Sequence, residues 1–315
     1  MTAQALTGRD RPVRRLGDTL FSGGASTAGA IILAVLAAVA GFLIAQSIPA
    51  VTTPAEQISI LRGRSFWEYA LPLAFGTLWA AALALLMAMP LSIGIALFIS
   101  HYAPRRLASV LGYVVDLLAA VPSVVFGLWG ANVLARAVQP GYSWLADNLS
   151  WIPLFAGPAS GTGRTIFTAA IVLAVMVLPI ITAICREVFL QTPRLHEEAA
   201  LALGATRWEM IRMAVFPFAR AGIVSAGVLG LGRALGETMA VAMVLSPALV
   251  INVDLISSTN PTTIAANIAL SFPEAYGANV NVLIATGLLL FAITLVVNTI
   301  ARVLVNRRKD FSGAN

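Results

Sequence analysis

The sequence predicts an all-α, polytopic membrane protein of six transmembrane helices. Three observations carry this expectation. Of 315 residues, 59% are hydrophobic and 11% charged, whereas soluble domains carry about 25% charged residues. So few charges cannot cover a water-facing surface of this size, and the apolar surface must face lipid. Six stretches stay apolar for about 20 residues or more, the length that spans a bilayer. Each is continuous, without the period-two alternation of a transmembrane β-strand.

The elements follow in order. Residues 1–24 carry arginines and form an N-terminal segment expected to be cytoplasmic. The first span, 25–48, is too long for the apolar region of a signal peptide and ends without a convincing small-x-small cleavage site, so it reads as a retained helix. The next spans are 73–99, 107–134, 166–189, 221–245 and 280–305, and residues 306–315 form a tail. Long polar or Pro/Gly-rich loops are expected at 49–72, 135–165, 191–220 and 246–279. Pro90-Leu91-Ser92 interrupts the second span, Pro122-Ser123 the third and Pro179 the fourth. An intramembrane proline frees a carbonyl and kinks the axis. That suits a translocation path, and it also occurs in inert membrane helices.

Basic residues orient the spans. With a cytoplasmic N-terminus, the inner segments hold Arg9, Arg11, Arg14, Arg15, Arg105, Arg106, Arg186, Arg194, Arg207, Arg212, Arg220, Arg302, Arg307, Arg308 and Lys309. The outer ones hold Arg62, Arg64, Arg136 and Arg164, which leaves Arg233 inside the membrane. Both termini are therefore expected in the cytoplasm. The same distribution accounts for the net charge of +6 through orientation, and no nucleic-acid partner is expected.

The remaining chemistry is sparse. Cys185 is the single cysteine, which excludes an intrachain disulfide or a cysteine metal site. It reads as a small apolar residue of a membrane helix. His101 and His196 have no metal-ligand spacing, so neither a metal nor a cofactor is expected. Asp116, in the third span, is expected to pair with Arg105 or Arg106. Gly157-x5-Gly163-Arg164-Thr165 has one residue too many for a phosphate-binding loop, and an arginine where the lysine belongs. With no ATP site in the chain, it is not expected to be an enzyme.

The loop between spans four and five is the most informative segment. Thr192 is placed to cap a helix, Pro193 fits the first helical position, and Glu197 and Glu198 lie near its positive end. Ala and Leu follow, Gly204 suits a left-handed stop, and Thr206-x-x-Glu209 fits a capping box for a second short helix. Leu195, Ala199 and Leu203 share one face. Such a helix could rest on the bilayer, but the small alanine surface suits docking into a protein groove better.

Glu198-Ala199-Ala200, three residues, Gly204, nine residues and Ala214-Val215-Phe216-Pro217 resemble the EAA motif of ABC-importer permeases. Glu198, Ala199, Ala200, Gly204 and Pro217 match. Ala214 and Phe216 replace the family's Ile and Leu and remain apolar. The resemblance implies a type I ABC importer permease fold over 72–305, with a coupling loop at 191–217 that docks on an ATPase partner.

In the fifth span, Arg233 and Glu237 stand four residues apart in an apolar helix. They share a face and are expected to pair. Each ion costs about 2.5–3.5 kcal/mol near the bilayer centre. The pair could be a structural salt bridge. Alternatively, Arg233 could meet a permeating anion through its planar donor fork, while Glu237 positions it or contributes to gating. Gly232-Arg233-Ala234-Leu235-Gly236-Glu237-Thr238-Met239-Ala240, together with Val121-Pro122-Ser123-x-x-x-Gly127, resembles phosphate-importer permeases, the PstC type more than the PstA type. That implies roles for Arg233 and Glu237 in phosphate transport. It also implies a PstA-like second permease subunit, a PstB-like ATP-binding dimer, a PstS-like external binding protein and a bacterial inner membrane. Permeases for sulfate or molybdate, and a secondary anion transporter, are the alternatives. An intramembrane enzyme is disfavoured because the spans hold no Ser/His or Asp/Asp pair.

Overall fold

The computed structural model describes residues 16–306. Arg9, Arg11, Arg14, Arg15, Arg307, Arg308 and Lys309 lie outside the described residues. The first helix, α1 (Leu16–Thr52), packs against the last, α12 (Ala278–Asn306), and its large apolar side chains otherwise point outward. That is the expected face toward lipid. One polar clamp fixes the two helices, since the Asn281 side-chain amide donates to the Gln46 carbonyl at 2.7 Å.

Two short 3₁₀ turns, Ala55–Gln57 and Ser59–Leu61, lead to α2 (Phe66–Leu97), which continues through a π turn at Phe98–Tyr102. α2 starts seven residues before the expected span. Ser65 and Glu68 form a capping box that satisfies two free N–H groups, and Pro72 lies inside the helix.

The third span is not one straight helix. It divides into α3 (Arg105–Ala119) and α4 (Ser123–Trp129), the latter running through a π turn at Gly130–Leu134 into α5 (Ala135–Leu149). The two arms bend by 90°. Pro122 is the cause. Its ring disfavours the helical conformation at Val121, and Pro122 itself is extended, at φ −60° and ψ 138°. Much of the expected long loop after this span is therefore helical.

α6 (Ile166–Leu190) is the central post, packed against α2, α3 and α9 and capped by the Thr165 hydroxyl. The short helices α7 (Arg194–Ala202) and α8 (Arg207–Met210) follow. A π turn at Ile211–Val215 then leads into α9 (Phe216–Leu235). The chain breaks at Gly236 and resumes as α10 (Met239–Val244). The expected span 221–245 therefore starts too late and runs through a break. A continuous apolar helix covers Arg207–Leu235 instead. β1 (Pro247–Ala248) pairs in parallel with β2 (Asn260–Pro261), followed by α11 (Ile264–Ser271) and a 3₁₀ turn at Phe272–Glu274.

Five helices are long and apolar enough to cross a membrane, or six with the bent pair counted as one span, among the described residues. The main core lies where α2, α6, α9 and α10 meet, and it includes Ala84, Ile181, Phe189 and Leu235. Small residues let the backbones close. Gly76 leaves the place of a side chain to the Thr262 carbonyl, and Gly230 leaves it to Ile181.

Candidate functional site: a charged groove at mid-height and an exposed hairpin at one end

Arg233 sits in the last turn of α9, and its height in the bundle follows from the packing. On α9, Gly222 faces Val188 of α6 and Gly230 faces Ile181. One turn further on, Arg233 shares a groove with Ile180, about midway along α6. A groove of about 780 Å³ opens there, lined among others by Ile180, Ser225, Arg233, Glu237, Asn298 and Arg302. Arg233 is exposed to it.

Glu237 has a different role. Only 8% exposed, it sits in the break between α9 and α10, and its Oε1 accepts from the Ala240 N–H at 3.1 Å. No ion pair joins Arg233 to Glu237 among the described residues. The expected pairing fails because α9 ends at Leu235. The i, i+4 geometry that would align the two side chains holds only inside a continuous helix. The break instead turns the carboxylate toward the free N–H groups at the start of α10. α10 in turn presses on α4, where Gly127 has no side chain to keep Ala240 and Met243 away. The two short stretches singled out in the sequence thus touch.

Sequence reasoning missed Asn298 and Arg302 as lining residues. Arg302 had entered only as an orienting charge. The signal was available, because 298 and 302 stand one helical turn apart on a single face of α12.

The hairpin takes the expected form with one correction. α7 and α8 meet at Gly204, whose φ is +88°. Thr206 and Glu209 form the capping box, with Glu209 Oε2 accepting from the Thr206 N–H at 2.8 Å. Thr192 does not cap. The helix begins at Arg194 after an extended Pro193, and the buried Thr192 hydroxyl has no protein partner. Glu198, Ala199, Leu195 and Leu203 are exposed, Leu203 at 90%, while Ala200 turns to the core. An apolar face open to this degree on a short loop helix is shaped for contact with another surface. Pro217 lies in the first turn of α9, directly after the π turn at Ile211–Val215 and inside the continuous helix Arg207–Leu235.

Asp116 also differs from expectation. Its carboxylate lies 3.8 Å from Arg186 of α6, away from Arg105 and Arg106. The Arg186 guanidinium lies against Gly112, one turn before Asp116 on α3, so that turn cradles the arginine.

Residues 88–310 match the family described as binding-protein-dependent transport system inner membrane component. This range includes the hairpin, Arg233, Glu237, Asn298 and Arg302. The chain is 48% identical over 259 residues to the phosphate transport system permease protein PstC 2 of Mycobacterium tuberculosis, covering 79% of each chain. It is 40% identical over 319 residues to the phosphate transport system permease protein PstC of Mesorhizobium japonicum, covering 97% of this chain and 96% of that one. Among solved structures, it resembles a chain of a bacterial ABC transporter involved in the import of the acidic polysaccharide alginate. The TM-score there is 0.56 at 19% identity, over 91% of this chain and 98% of that one. A chain of the MetNI methionine ABC transporter gives a TM-score of 0.50 at 18% identity, covering 78% and 95%. At these identities the structural likeness bears on the fold alone, that of ABC-importer permeases.

Proposed function

The chain belongs to the binding-protein-dependent transport system inner membrane component family, and on that premise we propose that it is a permease subunit of an ATP-driven phosphate importer. The observation that carries this reading is the 40% identity to a phosphate permease over 97% of the chain. The geometry adds a physical route. An open groove at mid-height presents the Arg233 guanidinium, whose fork of N–H donors matches phosphate oxygens. An arginine held at that depth without a carboxylate partner favours an anion in the groove. Arg302, nearer the hairpin end, adds a second positive charge along the same groove.

The groove is open on one side. Closing it would take a second permease subunit of the PstA type, so that each chain forms half of the pathway. The exposed hairpin around Glu198–Gly204 would dock on a PstB-like ATPase dimer that supplies the energy. A PstS-like binding protein would deliver phosphate at the opposite face. The membrane is then the bacterial inner membrane, with the hairpin and both termini in the cytoplasm.

Uptake of radiolabelled phosphate by cells carrying Arg233→Gln tests the reading. With the complex assembled, uptake falls by at least about tenfold, the loss expected for a charge-assisted contact. Uptake at the unsubstituted level would remove Arg233 from the pathway. Competition by sulfate or molybdate in the same assay separates phosphate from the other oxyanions.

A further inference from the structure

His101 is a side chain for which transport has no obvious use, and its surroundings are unusually specific. It lies in the π turn that ends α2 and is largely buried, with 9% of its side chain exposed. Its Nε2 lies 3.4 Å from Glu197 Oε1 on α7, and its Nδ1 lies 2.7 Å from the Ser100 hydroxyl. The Ser100 hydroxyl lies 3.3 Å from the Leu97 carbonyl as well, and which ring nitrogen donates depends on the tautomer. The end of the second span is thereby tied to the hairpin helix.

The imidazole is also the first ring of a series. It meets Phe189 of α6 edge to face, with centroids 6.5 Å apart and an interplanar angle of 70°. Phe189, fully buried, meets Phe216 of α9 at 6.2 Å and 61°. Phe216 meets Trp208 of α8 at 6.2 Å and 89°. These are favourable aromatic geometries. Four rings thus join α2, α6, α9 and α8, and Glu197 joins α7 to them. Phe216 stands where the family pattern has leucine, and a leucine could not continue the series. His101 lies in one π turn, Phe98–Tyr102, and Phe216 directly follows another, Ile211–Val215. Each π turn inserts one residue into a helix, which re-aims the side chains beside it.

We propose that His101, beside Glu197 and edge-on to Phe189, which is joined in turn through Phe216 to Trp208, is the joint that passes displacement of the hairpin to the ends of three membrane helices. These are positioning residues and do not touch phosphate. Packed rings transmit a push because a close-packed cluster resists compression. The inference rests on the reading of the hairpin as the ATPase docking element. Without the joint, ATP hydrolysis and phosphate movement lose their fixed ratio, while the ATPase still binds.

The test uses the complete transporter in proteoliposomes and measures phosphate moved per ATP hydrolysed, together with co-purification of the ATPase. His101→Ala and Phe216→Leu keep the ATPase bound and lower that ratio about tenfold, within the usual span of coupling between sites. His101→Gln, whose amide still donates to Glu197, recovers part of it. Adding Glu197→Ala to His101→Ala lowers the ratio no further. A ratio within twofold of the unsubstituted complex for both single variants overturns the joint, as does loss of ATPase binding in them. If His101→Ala fails to assemble, Glu197→Ala decides alone, its side chain being already partly in solvent at 22%: the same tenfold loss of the ratio is expected, and a ratio within twofold overturns the joint. Leu203→Asp checks the premise. If it leaves ATPase binding unchanged, the docking reading fails. If it abolishes binding while the ratio in His101→Ala stays normal, only the joint fails.

Discussion

Arg233 and Glu237 look equivalent in the sequence, two opposite charges one helical turn apart, but the structure gives them separate work. The carboxylate is buried and accepts from the Ala240 N–H in the first turn of α10, while the guanidinium faces the open groove. Substitutions at 237 should therefore divide by hydrogen bonding as well as by charge. Glu237→Gln keeps a carbonyl oxygen that can accept from the Ala240 N–H, and the protein should retain its thermal stability in detergent. Glu237→Ala leaves that buried donor without a partner, at a cost of about 1–3 kcal/mol. A thermal-shift comparison reads the difference. Equal stability of the two variants would mean that the cap on α10 contributes nothing. Transport then separates a second question: loss of uptake in the stable Gln variant assigns a role to the charge itself.

At the scale of elements, breaks and turns position the working parts. Pro122 divides the third span, Gly236 ends α9, and Gly204 turns the hairpin. Gly204 has open space where a side chain would point, so only its positive φ constrains the residue. Gly204→Ala then costs about 1–2 kcal/mol, the penalty of the left-handed region for an ordinary residue, whereas Gly204→Asn costs less because a short polar side chain tolerates that region. Pull-down of the ATPase partner should weaken in the order Gly, Asn, Ala. Equal capture by all three would show that the turn does not limit docking. Much of this was legible in the sequence, because the capping box at Thr206 and the stop at Gly204 depend on local backbone chemistry. The failure at Thr192 has a local cause too: Pro193 adopts an extended conformation, so the helix starts one residue later and the hydroxyl points inward. The start of α2 was equally readable, from Ser65-x-x-Glu68, but the search for apolar runs passed over it.

For the whole molecule, hydropathy locates the spans because the cost of unpaired backbone in lipid leaves few alternatives. It does not locate their breaks, since α3, α4 and α5 are apolar on both sides of a 90° bend. Nor could the sharing of one groove by Arg302 and Arg233, or the meeting of His101 with Phe189, be read from positions far apart in the chain, because both depend on how helices cross. Orientation is the property that sequence carries and the fold leaves open, since the bias of basic residues acts through the membrane. It can be measured with this chain's own composition. Cys185 is the single cysteine, fully buried in α6, so Cys185→Ser gives a background without thiols at little cost to packing. In that background, Leu203→Cys on the hairpin and Arg62→Cys on the opposite loop place one exposed thiol at each end of the bundle. A membrane-impermeant maleimide added to intact spheroplasts should label Arg62→Cys and leave Leu203→Cys untouched. In inverted vesicles the pattern should reverse. Labelling of Leu203→Cys in spheroplasts would place the hairpin outside, beyond reach of any cytoplasmic ATPase, and would overturn the importer assembly at its largest scale.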